Sequence, residues 1–230
     1  MPVAVKRSKR YRQDIQKVPP KAVSVEEAVA VVKSFKATKF DQTVELIVSL
    51  GIDAKQADQL VRGSISLPHG IGKTNRVVAF CPENLVEQAK AAGAIKAGGQ
   101  ELVAEIEKGG FTDFDVAIAT PDMMRYVGRL GKVLGPKGLM PSPKAGTVTA
   151  AIANAVREYV AGKIEFRNDP GGNIHCAVGK QSFEARKLID NINAMLGQLR
   201  RMKPATSKGT YLKKAVLKGT MTPAVALDVH

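Results

Sequence analysis

The sequence has no tryptophan, and aromatic residues make up 5% of its 230 positions. It has two cysteines, Cys81 and Cys176, far apart and without a CxxC partner, which excludes a disulfide framework and a structural zinc site and fits a reducing cytoplasm. The three histidines, His69, His175 and His230, are scattered, and no HExxH or GxSxG signature accompanies them. Asp53 and Asp58, five apart on a polar stretch, suit solvated or helix-capping positions better than an acid pair. No catalytic residue, metal or cofactor is therefore expected, and the chain does not read as an enzyme. Long apolar runs are missing too: nothing approaches the roughly 20 residues that span a bilayer. The basic start (Lys6, Arg7, Lys9, Arg10, Arg12) leads into no apolar signal core, so a soluble, unsecreted protein with no membrane partner is expected.

Anionic residues are also scarce. Against 35 Lys+Arg stand 21 Asp+Glu, a formal charge of +14 that predicts attraction to polyanions or to an anionic membrane surface, nucleic acid being the commoner explanation. With so few aromatics, base stacking can contribute little to such contact, and charge and shape must contribute more. At 44% apolar residues the chain can bury a sizeable core in one or two domains.

Met1 to Val18 reads as a basic arm closed by Pro19 and Pro20, either a frayed terminus or an arm that grips RNA. Ser24 and Glu27 form a capping-box pattern ahead of a helix ending near Ala37. Val44, Leu46, Val48 and Leu50 alternate with more polar neighbours, which predicts a strand presenting Thr43 and Glu45 outward. Pro68 to Lys73 reads as an inter-domain boundary. Beyond it, Val77–Phe80, Glu83–Ala92, Glu101–Lys108 and Val116–Ala119 alternate strand and helix, as in a parallel sheet covered by helices. Thr120 and Pro121 supply an N-cap and first-turn proline for a helix through Met123, Met124 and Val127, both methionines as core filler. A loop over 131–146 and a helix from about Thr149 to Ala161 follow. Next comes a hairpin of Lys163–Arg167 and Asn173–Val178 turning at Asn168-Asp169-Pro170-Gly171-Gly172. Ser182 starts a long amphipathic helix carrying Phe183, Leu188, Ile192, Met195, Leu196 and Leu199 and stopped by Lys203 and Pro204. Short strands near 215–217 and 224–227 flank Thr220-Met221-Thr222-Pro223, a tight polar segment able to set a hydroxyl and a flat Met side chain against sugars and base edges.

The α+β texture of both flanks around an α/β middle predicts one domain from 1–69 and 160–230 with another, 70–159, inserted into it. Charge follows the same division: the flanks carry net +5 and +7, the middle +2. The flanking domain is thus the expected polyanion binder. Gly70-Ile71-Gly72-Lys73-Thr74 ends like a phosphate-binding loop, but Leu67 stands where the first glycine belongs and no apolar strand leads in. Gly131 to Gly138 matches no nucleotide fingerprint, and Pro136 lacks an amide donor, so it reads as a turn presenting cations.

Several segments together resemble the ribosomal protein L1 family: residues 37–45 (ATKFDQTVE), 50–53 (LGID), 58–70 (DQLVRGSISLPHG), 131–138 with 141–147, 163–169 (KIEFRND) and Thr220-Met221. The resemblance covers nearly the whole chain. It implies a split β-α-β first domain built from both chain ends and an inserted Rossmann-like, three-layer α/β domain. It also implies a monomer when free and a cytoplasmic constituent of the large ribosomal subunit. Its partners would be 23S-type rRNA at the mobile stalk, exit-site tRNA and, in many bacteria, the protein's own operon mRNA, which it represses. Carried over by position, the rRNA-binding set is Lys39, Phe40, Thr43, Glu45, Thr220, Met221 and Thr222, with Arg62, Arg167, Lys213 and Lys214 as supporting contacts and Pro68, Gly70 and Gly162 as hinge. Within that set Lys39 serves phosphate and Glu45 accepts from base or ribose donors. The chain departs from the family at Thr222, where glycine is common. Glycine there supplies positive φ or close approach, whereas Pro223 favours extended geometry at Thr222.

Overall fold

The computed structural model describes residues 7–109 and 111–229; Lys6 of the basic arm and His230 lie outside the described residues. In chain order the elements are α1 (Lys9–Ile15), α2 (Val25–Ser34), β1 (Thr43–Leu50), β2 (Arg62–Ile65), β3 (Val77–Phe80), α3 (Glu83–Ala91), β4 (Lys96–Gly98), α4 (Gln100–Glu107), β5 (Val116–Ala119), α5 (Met124–Val127), α6 (Gly131–Leu134), α7 (Ile152–Val160), β6 (Ile164–Arg167), β7 (Asn173–Lys180), α8 (Ala185–Arg201), β8 (Leu212–Gly219) and β9 (Val225–Leu227). Short 3-10 turns occupy Ala57–Gln59, Pro121–Met123, Gly128–Leu130 and Pro143–Ala145. None of the described helices is long and apolar enough to cross a membrane.

The chain divides into two compact units. The first holds the residues up to Val61, Leu67–Gly72, and those from Phe166 on; the second holds Arg62–Ser66 and Lys73–Glu165. By sequence the first carries net +11 and the second +3.

The first unit contains an antiparallel sheet in the order β7-β1-β8-β9. Along β1 buried Val44, Leu46, Val48 and Leu50 alternate with half-exposed Thr43, Glu45, Ile47 and Ser49. The buried set shares one face, on which α2 and α8 pack. The Ser24 hydroxyl accepts the Glu27 amide at 3.2 Å, as the capping-box pattern requires, while Phe35 turns extended and ends α2 before Ala37. α8 begins at Ala185 rather than Ser182, because the Ser182 hydroxyl is drawn to the Asp41 carboxylate at 2.7 Å. Its buried stripe includes Asn191, whose side chain bonds the Val178 and Gly70 carbonyls and the His69 amide.

In the second unit β4-β3-β5 form a parallel sheet whose central strand is wholly buried. Val78, Phe80, Ala117 and Ala119 point to a core shared with Leu102, Val103 and Ile106 of α4, while Val77, Ala79 and Ile118 point to another shared with Ala89, Val156 and Tyr159. Burial on both faces is why these strands read as unbroken apolar runs.

Four expectations need correction. The basic arm is not all frayed: Lys9–Ile15 is helical, capped by the Ser8 hydroxyl. Lys163–Arg167 and Asn173–Val178 do not form a hairpin ladder. β6 pairs with β2, β7 pairs with β1, and between them runs only the Asn168–Ile174 bridge around the turn that Asp169 holds. Asn168 bonds Val61 through both its backbone and its side chain, which diverts the chain from β7. Thr120 precedes a 3-10 turn, but its hydroxyl caps nothing and is buried with no hydrogen-bond partner among the described residues. Residues 131–146 are not all loop, since Gly131–Leu134 is helical and seats Leu134 in the core. Both cysteine thiols are buried, and burial pushes Cys176 up to about 12, leaving no reactive thiolate there.

Candidate nucleic-acid interface

Gln42 organises the start of β1. It is fully buried; its side-chain amide donates to Gln181 at 2.9 Å, its side-chain oxygen accepts the Met221 amide at 2.9 Å, and its carbonyl accepts the Gln181 amide at 2.8 Å. This draws the β8–β9 loop against the first residue of β1. Thr220 and Thr43 then bond reciprocally: the Thr220 amide donates to the Thr43 carbonyl at 3.0 Å, and the Thr43 amide to the Thr220 hydroxyl at 3.2 Å. Thr222 closes the loop from inside, its hydroxyl accepting the Gly219 amide at 2.7 Å and its own amide donating to the Gly219 carbonyl at 3.2 Å. All four amides from Gly219 to Thr222 are thus satisfied within the unit. The loop is held rigidly and offers outward the exposed Thr220 and Met221 side chains, Met221 at 53% exposure.

Beside it stands the turn that bears Lys39 and Phe40. The Thr38 hydroxyl donates to the Phe40 carbonyl at 2.5 Å, and the Asp41 carboxylate takes the amide and hydroxyl of Ser182. Lys39 and Phe40 are left exposed, Phe40 at 53%. Two isolated, exposed large apolar side chains on hydrogen-bonded loops of a basic unit offer flat surfaces to a polar partner. Cations line the same end of the sheet: Lys180 donates to the Thr43 hydroxyl at 2.9 Å, and Lys218, the cross-strand neighbour of Glu45, pairs with it at 3.3 Å. Both members of that pair are about one-third exposed, so its net worth is small and a ligand can displace it at low cost.

The expected residues fall into groups. Lys39, Phe40, Thr43, Glu45, Thr220 and Met221 come together at one end of the sheet. Thr222 lies there too but is turned inward at 8% exposure, and no described non-glycine residue has positive φ, so it is a clamp under no backbone strain. Lys213 and Lys214 are exposed at the other end of β8, where Lys214 pairs with Ser49 while Gly219 pairs with Val44. That separates Lys214 from the loop by five residues, roughly 17 Å. Arg167 is exposed in the first unit; Arg62 belongs to the second, 3.9 Å from Glu165. Gly70 and Gly162 have φ of 60° and 105°, and Asn191 ties the segment after Pro68 to α8. Sequence reading missed Gln42, Gln181, Lys180 and Lys218. The lysines are findable once strand register is known, whereas a buried glutamine in a polar stretch gives no periodic signal.

No group of three or more potential metal ligands exists among the described residues. The glycine-rich Gly70–Thr74 segment leads into β3 rather than a helix, and Lys73 is paired with Asp115 at 2.9 Å, so the helix N-terminus that a phosphate loop relies on is not there. The model of the Ribosomal protein L1p/L10e family matches residues 32–223. The chain belongs to the ribosomal protein L1p/L10e family. Large ribosomal subunit protein uL1 of Kosmotoga olearia is 51% identical over 224 residues, covering 97% of this chain and 96% of the relative. The proteins of the same name from Cutibacterium acnes and Clavibacter michiganensis are 50% and 48% identical over 225 residues, 97% of this chain and 97% and 98% of theirs. Membership in the L1p/L10e family makes the chain a ribosomal-protein homologue and not an enzyme.

Proposed function

We propose that this protein is a constituent of the large ribosomal subunit in the cytoplasm, where its first unit binds 23S-type rRNA at the mobile stalk. The observation that supports this most directly is the β8–β9 loop: its four satisfied amides hold Thr220 and Met221 facing outward, beside Lys39 and Phe40, in the unit that carries net +11. Such a loop recognises shape, sugar hydroxyls and base edges, and the cations supply salt-dependent attraction to phosphate. In this reading 1–69 and 160–230 form the split β-α-β RNA-binding domain, and 70–159 the inserted Rossmann-like, three-layer domain. Pro68, Gly70 and Gly162 allow the inserted domain to move while deacylated tRNA leaves the exit site. The same face binds the protein's own operon mRNA and represses its translation, and the protein is a monomer when free.

A transcript of the large-subunit rRNA stalk segment tests the core of this reading. Met221→Ala, at an exposed position, is expected to weaken specific binding about tenfold while leaving the melting temperature unchanged. Equal affinity of variant and parent for that transcript would remove the loop from the interface.

A further inference from the structure

Arg10, Asp14 and Lys17 are four and three residues apart, on one face of α1 and its continuation. Each is fastened. Lys17 donates to the Ser34 carbonyl at 2.8 Å, Asp14 accepts the Lys36 amide at 3.2 Å, and Arg10 donates to the Met221 carbonyl at 3.1 Å. Asp14 is 1% exposed, and its second carboxylate oxygen is buried with no hydrogen-bond partner among the described residues. An unpaired buried carboxylate oxygen opposes folding, so packing stability alone does not account for an acid here. Nor can α1 stand by itself, since seven residues are far too few for an isolated helix and its one aliphatic side chain, Ile15, is 49% exposed. Its place is therefore set by polar contacts, and these reach the two segments that make the candidate interface. One is the connection after α2 that carries Lys39 and Phe40; the other is the loop that carries Thr220 and Met221.

We infer that α1 is a brace for the RNA-binding face. Asp14 fixes the connection at Lys36, Arg10 fixes the β8–β9 loop at the Met221 carbonyl, and the short helix between them sets the spacing of the two. Both are positioning residues that act through Lys36 and Met221. The inference rests on the RNA-binding reading above.

Asp14 makes the test sharp because its sign is wrong for a phosphate contact. Removing an anion from a face that binds RNA should tighten binding if charge alone matters. The brace requires the reverse for Asp14→Ala, which loses the acceptor: about tenfold weaker binding of the full-length protein to the stalk transcript. Asp14→Asn keeps an oxygen for the Lys36 amide and should stay within about twofold of the parent. Arg10→Gln, at a half-buried position where folding is not at stake, should weaken binding about fivefold with the slope of log K against log salt unchanged. A phosphate-contacting arginine would instead make that slope shallower by about 0.7 to 0.9. Without RNA, amide hydrogen exchange should quicken at Lys36 in Asp14→Ala and at Met221 in Arg10→Gln. Asp14→Ala binding as tightly as the parent, a shallower slope for Arg10→Gln, or unchanged exchange at both amides would each overturn the brace. Failure of the unmodified protein to bind the transcript would overturn the RNA reading instead, while the exchange measurements still judge the brace.

Discussion

The two units use their sheets in opposite ways. In the first, helices cover one face of β7-β1-β8-β9, and the alternate residues Thr43, Glu45, Ile47 and Ser49 remain half-exposed. In the second, helices pack on both faces of β4-β3-β5, and every residue of β3 is buried. A sheet buried on both faces commits all its side chains to packing, whereas a sheet covered on one face keeps every second residue available to a partner. Charge follows the same distinction, at +11 against +3. The first unit should therefore show its sensitivity in binding as well as stability, and the second in stability alone.

Glycines give the largest expected contrast. A Cβ on Gly51 would stand 2.1 Å from the Thr210 carbonyl oxygen, a backbone atom that cannot rotate away. Gly51→Ala should cost about 3 kcal/mol in urea unfolding, because the strand end and the 207–211 segment must separate. Gly131, the first residue of α6 in the second unit and already in helical geometry, has open space around its missing Cβ. Gly131→Ala should stabilise by about 0.5 to 1 kcal/mol, since alanine loses less backbone entropy on entering a helix. Equal responses at the two sites would remove this distinction.

Polar clamps come next. Thr222→Ala leaves the buried Gly219 amide unpaired and should cost about 1 to 2 kcal/mol. It should also weaken binding to the stalk transcript, because the loop it closes carries Thr220 and Met221. In the second unit, the Tyr159 hydroxyl donates to the Ala145 carbonyl at 2.7 Å. Tyr159→Phe should cost about 1 kcal/mol and leave RNA affinity as it was. These two sites also mark how far the sequence could be read. The period-two pattern of β1, the Ser24–Glu27 cap and the alternating runs of the second unit declare themselves locally, because backbone geometry imposes their spacing. The burial of Gln42 and the pairing of β6 with β2 depend on residues more than 90 positions away, and the inward turn of Thr222, though its bonds to Gly219 are local, carries no periodic signal. The Asn168–Gly172 signal specifies a turn, which Asp169 holds, and carries nothing about which strands pair beyond it. α1 has no apolar periodicity at all, since contacts of charged side chains hold it.

A smaller effect separates the units in acid. Hydrogen bonds from Arg76 and then Lys73 hold the Asp115 carboxyl of the second unit well below the usual carboxylate range. With the folded value depressed beneath an unfolded value near 3.9, the stabilisation is present in full above about pH 5 and disappears as pH falls through the folded value. Asp115→Asn should lower neutral stability by less than about 1 kcal/mol and make acid unfolding less steep. Circular dichroism between pH 2 and 7 measures this, and an unchanged acid limb would show that the pair contributes nothing.

The smallest change concerns a single counterion. Lys39 in the first unit and Lys132 in the second are both surface lysines, and nothing about them one at a time tells a phosphate contact from a solubilising group. Their surroundings differ. Lys39 sits on a turn fixed by Thr38 and Asp41 next to the Thr220–Met221 loop, so a phosphate docked there displaces a condensed ion. Lys39→Ala should then make the slope of log K against log salt shallower by about 0.7 to 0.9, with affinity falling only a few-fold at moderate salt. Lys132→Ala should leave the slope for the stalk transcript unchanged. If both variants shift it equally, the +3 unit also contacts this RNA, and binding is not confined to the sheet with one open face.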